Sequence, residues 1–323
     1  MFLLQIEKLL DRVRTSTLVE DRRDACRALK SLAKTYRIEV GAQGLEVLIA
    51  VLEVDRTDNE TLSYALDSLC CIISGPNEDP IDYTTKSPDE NTEDLGIQFT
   101  EIFAKRKENV AILLDILEEY DFKVRWPALK LLMGLIKNRV RDMQDCILAH
   151  PMGVSRFMDL LADGREIVRN DAILLLVHLT RANANIQKIV AFENAFDRIF
   201  QIIAEEEYTD GGVVVEDCLI VLQNLLKNNT SNQNFFREGS YIQRLMPFFD
   251  VSFEADWSPQ KSSNMLFVYQ VIRALVSPTN PSQANRATQK LMLNCGMLSR
   301  LCAILMDGSV PAEVLTEVPC ATF

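Results

Sequence analysis

Apolar positions along this chain fall into a two-part pattern that repeats. In the first part an anchor is followed by apolar side chains one, four and eight positions later, a spacing that lines one face of a helix. It occurs at Gly44 (Leu45, Leu48, Leu52), Asn109 (Val110, Leu113, Leu117), Gly153 (Val154, Phe157, Leu161), Ala195 (Phe196, Ile199, Ile203), Tyr241 (Ile242, Leu245, Phe249) and Met297 (Leu298, Leu301, Leu305). In the second part a mostly small residue is followed by apolar positions four and seven residues on. It starts at Ala25, Ala65, Ala128, Ala172, Cys218 and Val268. The steps are 65, 44, 42, 46 and 56 residues for the first series and 40, 63, 44, 46 and 50 for the second. The two registers march together, and the undisturbed step matches the roughly 40–47 residues of armadillo and HEAT units.

Met152–Ile203 shows the unit most fully: one helix, the polar turn Asp163-Gly164-Arg165, and a second helix too broadly apolar for a free surface. Short helices at Asn185–Phe192, Asn232–Glu238 and Gln289–Asn294 precede an anchor helix and complete three-helix units. The predicted fold is all-α, a right-handed armadillo-like α-solenoid of about six to seven repeats forming a single head domain over 1–323. The long steps have visible causes. Residues 76–94 hold seven acids, one lysine and three prolines, and read as an acidic loop. Residues 250–264 read as a second insertion. Pro319 is expected to stop the last helix, leaving the final repeat, 295–323, incomplete with an uncapped apolar face, as at a truncated or alternative end.

Composition sharpens this picture. The 323 residues include only 12 Gly and 11 Pro, which favours helix. A net charge of −12 argues against nucleic acid, which needs a basic face. Eight cysteines lie mostly inside apolar runs without a CxxC pair, and read as reduced, buried thiols in a cytoplasmic protein. No apolar run reaches the roughly 20 residues of a membrane span, and no signal peptide is apparent. The sequons at Asn59, Asn228 and Asn229 carry no expected function.

Candidate chemistry is sparse. His150 and His178, the two histidines, lack the neighbours of a metal site or a triad and read as structural. Gly211-Gly212 lacks a phosphate-loop context. No catalytic, cofactor-binding or metal-binding residue is expected, and the chain is not read as an enzyme. Peptide-carrying armadillo proteins line their groove with recurring asparagines. Six positions past each small anchor stand Ser31, Cys71, Gly134, His178, Asn224 and Ala274, a single asparagine. Arg22, Arg125 and Arg169 each precede a repeat alanine by three residues, in register, as expected of arginines bonded to neighbouring turns or acids. The candidate protein-contact residues are Arg125, Arg169, Asn224, Asn228, Phe235, Phe236 and Arg237.

Several segments together resemble one family. Asp21–Lys34, Asp121–Leu132, Met152–Leu176, Gln187–Ile199, Gly211–Arg244 and Leu275–Pro281 are similar, in collinear order, to the globular head of the general vesicular transport factors, golgin-type tethers of endoplasmic-reticulum-to-Golgi traffic. That resemblance implies an armadillo-like head preceding a dimeric coiled coil and an acidic tail, neither of which this chain carries. It implies a Rab small GTPase, SNARE proteins, other golgins and tethering-complex subunits as partners, and a homodimer. It also implies a cytoplasmic protein held on Golgi and vesicle membranes through protein partners. A peptide carrier or adaptor outside membrane traffic is the alternative.

Overall fold

The computed structural model describes residues 2–75, 90–250 and 257–322, and among these every regular element is helical. Two compact units result, Met1–Arg156 and Phe157–Phe323. The first contains α1 (Phe2–Thr15), α2 (Val19–Ala33), α3 (Arg37–Val54), α4 (Asn59–Ser74), α5 (Glu90–Ala104), α6 (Lys107–Ile116), α7 (Phe122–Asn138) and α8 (Val140–Ala149). α9 (Gly153–Leu160) spans the division. The second contains α10 (Glu166–Leu179), α11 (Ala184–Phe192), α12 (Ala195–Glu205), α13 (Val213–Leu226), α14 (Thr230–Glu238), α15 (Pro259–Val276), α16 (Ser282–Asn294), α17 (Met297–Leu305) and α18 (Ala312–Thr322), with 3₁₀ segments at Tyr208–Asp210 and Gln243–Phe249.

The second apolar series marks the spine of each unit. Ala25, Ala65, Ala128, Ala172, Cys218 and Val268 are all buried, where a small side chain lets one long helix approach the next. In the first unit α2 packs on α4 and α4 on α7. In the second α10 packs on α13, α13 on α15, and α15 on α18. The first series fills the space beneath: Leu45, Leu48, Leu52, Val110, Leu113 and Leu117 are buried, as are their counterparts in α9 and α12.

Ionic contacts join neighbouring long helices in the first unit. Arg22 reaches Asp55 with Nη2 at 2.5 Å and Nε at 3.2 Å, Arg23 reaches Asp58 at 2.9 Å, and Lys30 meets Asp67 at 2.6 Å. Arg37 donates to the carbonyls of Ile72 and Ile73 at 2.8 and 2.9 Å, satisfying the C-terminal end of α4, where Gly75 adopts φ 93°.

In the second unit uncharged amides do this work. Gln187 Nε2 donates to Thr180 O (2.9 Å), at the end of α10. Asn229 donates to Gln187 Oε1 (3.0 Å), and Asn232 Nδ2 bonds both Gln187 O (3.0 Å) and Leu225 O (2.9 Å). One repeat further, Gln233 Nε2 bonds Leu226 O (2.8 Å), Ala274 O (3.2 Å) and Asn280 Oδ1 (3.2 Å), and Asn280 closes on Ala274 O at 2.9 Å. The carbonyls of Thr180, Leu225, Leu226 and Ala274 are ones that helix ends leave bare, and the bonds of Asn229, Asn232 and Gln233 also tie one repeat to the next.

Several expectations need correction. α5 begins at Glu90, inside the stretch read as an acidic loop, because no proline follows Pro88 to oppose a helix; the rest of that loop, 76–89, lies outside the described residues. α15 begins at Pro259 within the second expected insertion, with Pro in its first turn and Ser258 Oγ accepting from Lys261 N at 3.1 Å. Residues 251–256 of that insertion also lie outside the description. The segment carrying Leu245 and Phe249 is a 3₁₀ rather than an α-helix, because Pro247 has no N–H to give to an α-helical ladder. α17 buries Met297, Leu301 and Ile304, leaving Leu298 and Leu305 42% and 40% exposed, because its inner face turns toward α16, α18 and the 3₁₀ segment. Pro319 does not stop the last helix: α18 runs to Thr322, held against α15 through buried Val314 and Val318. Packing here outweighs one missing hydrogen bond.

α13 carries an electrostatic liability beside its contact with α15. Glu216 is bonded by Gln260 (2.8 Å) and Ser263 (2.9 Å), whereas burial, aided by the Glu216 charge, pushes the Asp217 carboxyl up to about 6. An unfolded aspartate titrates near 4. The native state therefore holds the extra proton between about pH 4 and 6, and stability falls as pH rises through that window. Asp217→Asn should melt at a higher temperature than the parent chain at pH 7.5, with the difference fading below about pH 4 in a calorimetric series. Asn232→Ala leaves the Leu225 carbonyl, at the end of α13, without its donor and removes the bond to Gln187 O across the repeats, and should cost about 1–3 kcal/mol in urea denaturation.

Candidate interaction surface

The in-register arginines are spent on the fold. Arg125, at the start of α7, donates from Nε to Glu119 O at 2.6 Å and from Nη2 to Glu118 O at 3.1 Å, and lies 5.0 Å from the Tyr120 ring centre. Arg169, in the first turns of α10, meets Glu206 at 2.5 Å and Glu205 at 3.5 Å and donates to Asn170 at 3.1 Å. Together with Arg22 on Asp55 and on Ser16 O (3.0 Å), the three clamp turns and acids around the ends of long helices.

Asn224 occupies the position where a peptide-binding groove would present its amide. Its Nδ2 instead donates to Val177 O (3.0 Å) and to Thr180 Oγ1 (3.2 Å), tying α13 to the C-terminal end of α10. Gln223, beside it, bonds Gln270 of α15 at 2.7 Å. The long helices of the second unit thus use these amides on each other.

Phe235 and Phe236 divide. Phe236 is fully buried, edge-on to Phe196 (5.0 Å) and close to Phe200 and Tyr241, and so offers no surface. Phe235 keeps 43% of its surface in solvent, at the rim of the same cluster, 6.0 Å from Phe196. Tyr241 donates to Asp197 at 2.7 Å, and Arg244 meets the other oxygen of that carboxylate at 2.6 Å. Burial, then the Asp197 bond, pushes the Tyr241 phenol up to about 12. Arg237 donates to Asn234 at 2.9 Å and is largely buried. Asn228 is exposed in the turn after α13 with φ 56°, a left-handed conformation asparagine tolerates. Of the seven candidate residues, Phe235 and Asn228 are the exposed ones.

Among the described residues no three His, Cys, Asp or Glu side chains gather as metal ligands. His150 accepts from Met152 N at 3.3 Å through Nδ1 and faces Asp115 at 3.4 Å through Nε2. Burial pushes the Cys26 thiol up to about 12 and also raises Cys71, Cys146 and Cys218, so these sulfurs stay protonated. No helix among the described residues is long and apolar enough to cross a membrane.

Sequence reasoning missed the amide joints between repeats. Their signal is a second periodicity among polar residues: Asn229 follows Asn183, and Gln233 follows Gln187, each by 46 positions. It also missed a matching pair of faces, Glu46-Ile49-Ala50-Glu53 on α3 and Glu108-Ala111-Ile112-Asp115 on α6, which line one groove.

The comparisons agree with this architecture. A family described as the armadillo tether-repeat of vesicular transport factor matches residues 254–314. The human general vesicular transport factor p115 is 59% identical over 313 residues, 97% of this chain and 32% of its own length. The budding-yeast intracellular protein transport protein USO1 is 28% identical over 332 residues, 96% of this chain and 18% of its own. The chain thus spans about a third of the length of the p115 relatives it matches. A crystal structure of Uso1 superposes with a TM-score of 0.89 at 27% identity, covering 98% of this chain and 51% of that one. A designed armadillo repeat protein, at 14% identity and a TM-score of 0.61 over 83% of this chain, shares the fold alone. In sequence and in fold, the chain is a relative of the head region of the p115/Uso1 general vesicular transport factors.

Proposed function

We propose that the chain is a non-enzymatic vesicle-tethering head acting in endoplasmic-reticulum-to-Golgi and intra-Golgi transport. The observation that carries this reading is the 59% identity to a vesicular transport factor across 97% of the chain. Stacked helices offer many exposed faces on which weak contacts with several proteins add up. The partners are a Rab small GTPase, SNARE proteins, other golgins and subunits of tethering complexes, and they hold the protein on Golgi and vesicle membranes. An adaptor of the peptide-carrying kind is less well supported, because the Asn224 amide is already bonded within the fold.

Immobilised chain incubated with cytosol should retain a Rab GTPase, a SNARE or a tethering-complex subunit, identified by mass spectrometry. Recovery of none of these classes would overturn the reading. The exposed side chains Leu293, Leu298, Leu305 and Met306 on and beside α16 and α17 suit self-association into a homodimer. Light scattering should show a mass that rises with concentration toward a dimer and returns to that of a monomer in Leu298→Glu/Met306→Glu. A strict monomer at high concentration in the parent chain would refute the dimer.

A further inference from the structure

The groove between α3 and α6 has walls of matching design. On α3, Glu46, Ile49, Ala50 and Glu53 occupy positions i, i+3, i+4 and i+7. On α6, Glu108, Ala111, Ile112 and Asp115 occupy the same four positions. Such positions share one helix face, with the outer pair about 10.5 Å apart. Each wall therefore reads acid, apolar, apolar, acid, and Arg106 also lines the groove, so four carboxylates face one guanidinium there. Both faces lie off the buried stripes Leu45/Leu48/Leu52 and Val110/Leu113/Leu117, and together they line a cavity of about 300 Å³.

Small residues floor the groove. Ile49 is buried, Ala50 is exposed, and Ala111 and Ile112 are half-buried, leaving room for inserted side chains. The apolar strip continues along α3 into a second cavity, of about 480 Å³, that shares Glu46 and Ala50 and adds four valines, Val54 among them, but is also lined by Arg14 and Arg22, so the acid-rich part of the strip is the groove between α3 and α6. Val54 is 74% exposed. Among the described residues, Glu46, Glu53 and Glu108 are in no salt bridge. Asp115 faces only His150. Elsewhere in this unit the acids Asp21, Asp55, Asp58 and Asp67 are each held by an arginine or a lysine.

We propose that this groove docks a short basic amphipathic helix of a protein partner, one bearing lysine or arginine about seven residues apart with two apolar residues between them. The apolar pair would sit against Ile49, Ala50, Ala111 and Ile112, and the cations would reach the carboxylates at both ends. Two turns of helix match the spacing of the acid pairs on both walls. The excess of acids over bases in the chain draws a cationic segment toward it, and the groove fixes where it binds. This inference stands apart from the trafficking reading, since it names only the chemistry of the bound segment.

The test uses the whole chain and a fluorescently labelled helical peptide of about 14 residues, with lysines seven apart and two leucines between, alongside its glutamate counterpart. The lysine peptide should raise the anisotropy and slow backbone hydrogen exchange over residues 45–55 and 107–117. Glu46→Lys/Glu53→Lys should weaken it at least about tenfold, and Ala50→Arg, which fills the floor, should do the same. Glu7→Lys/Glu20→Lys makes the same charge change away from the groove and should alter binding less than about twofold. Circular dichroism confirms that each variant is folded. Equal weakening by both double variants would mean a general attraction to an acidic chain and overturn the proposal. So would indifference to Ala50→Arg, or no binding of the lysine peptide.

Discussion

A helix leaves its last carbonyls without partners of their own, and side-chain donors cover such ends of α4, α10, α13 and α15 here. An unsatisfied buried carbonyl is costly, so a donor must come from somewhere. In the second unit it comes from a neighbouring repeat, as when Asn224 bonds Val177 and Gln233 bonds Ala274. In the first it comes from Arg37 at the end of α4, helped by Asn138 on Ile73 O. The requirement fixes the spacing between neighbouring helices as firmly as the apolar seams do. It also explains why polar residues that look available in the sequence have little left to offer a ligand.

The apolar half of this design was plain in the sequence. The small anchors from Ala25 to Val268 and most of the triplets from Leu45 to Phe249 are where a period of about 40–47 residues puts them, and all are buried. What failed did so where local chemistry and packing pull apart. Pro247 converts a predicted α-helix into a 3₁₀ segment, whereas Pro319 fails to end a helix that α15 holds in place. The shifted face of α17 reflects what surrounds it, which its own nine residues do not reveal.

Surface chemistry was less legible, for a physical reason. A side chain's availability depends on its partners across repeats: Arg169 finds Glu206 37 positions away, and Tyr241 finds Asp197 44 positions away. Nothing in the local pattern separates Phe235, partly in solvent, from Phe236, wholly enclosed. The α3 and α6 faces differ in this respect. Their acid and apolar positions can be read from the letters alone, but only the fold shows that the two are neighbours.

The joints of the two units differ in part. Arg22, Arg23 and Lys30 join helices of the first unit through paired charges, while the second unit adds the neutral amides Asn229, Asn232 and Gln233 to charge pairs such as Arg169 with Glu206. Dissolved ions weaken the exposed charge pairs, such as Arg23 with Glu60, and scarcely touch the amides. Concentrated electrolyte therefore loosens the charged contacts, Arg244 with Asp197 in the second unit included, and leaves the amide joints in place.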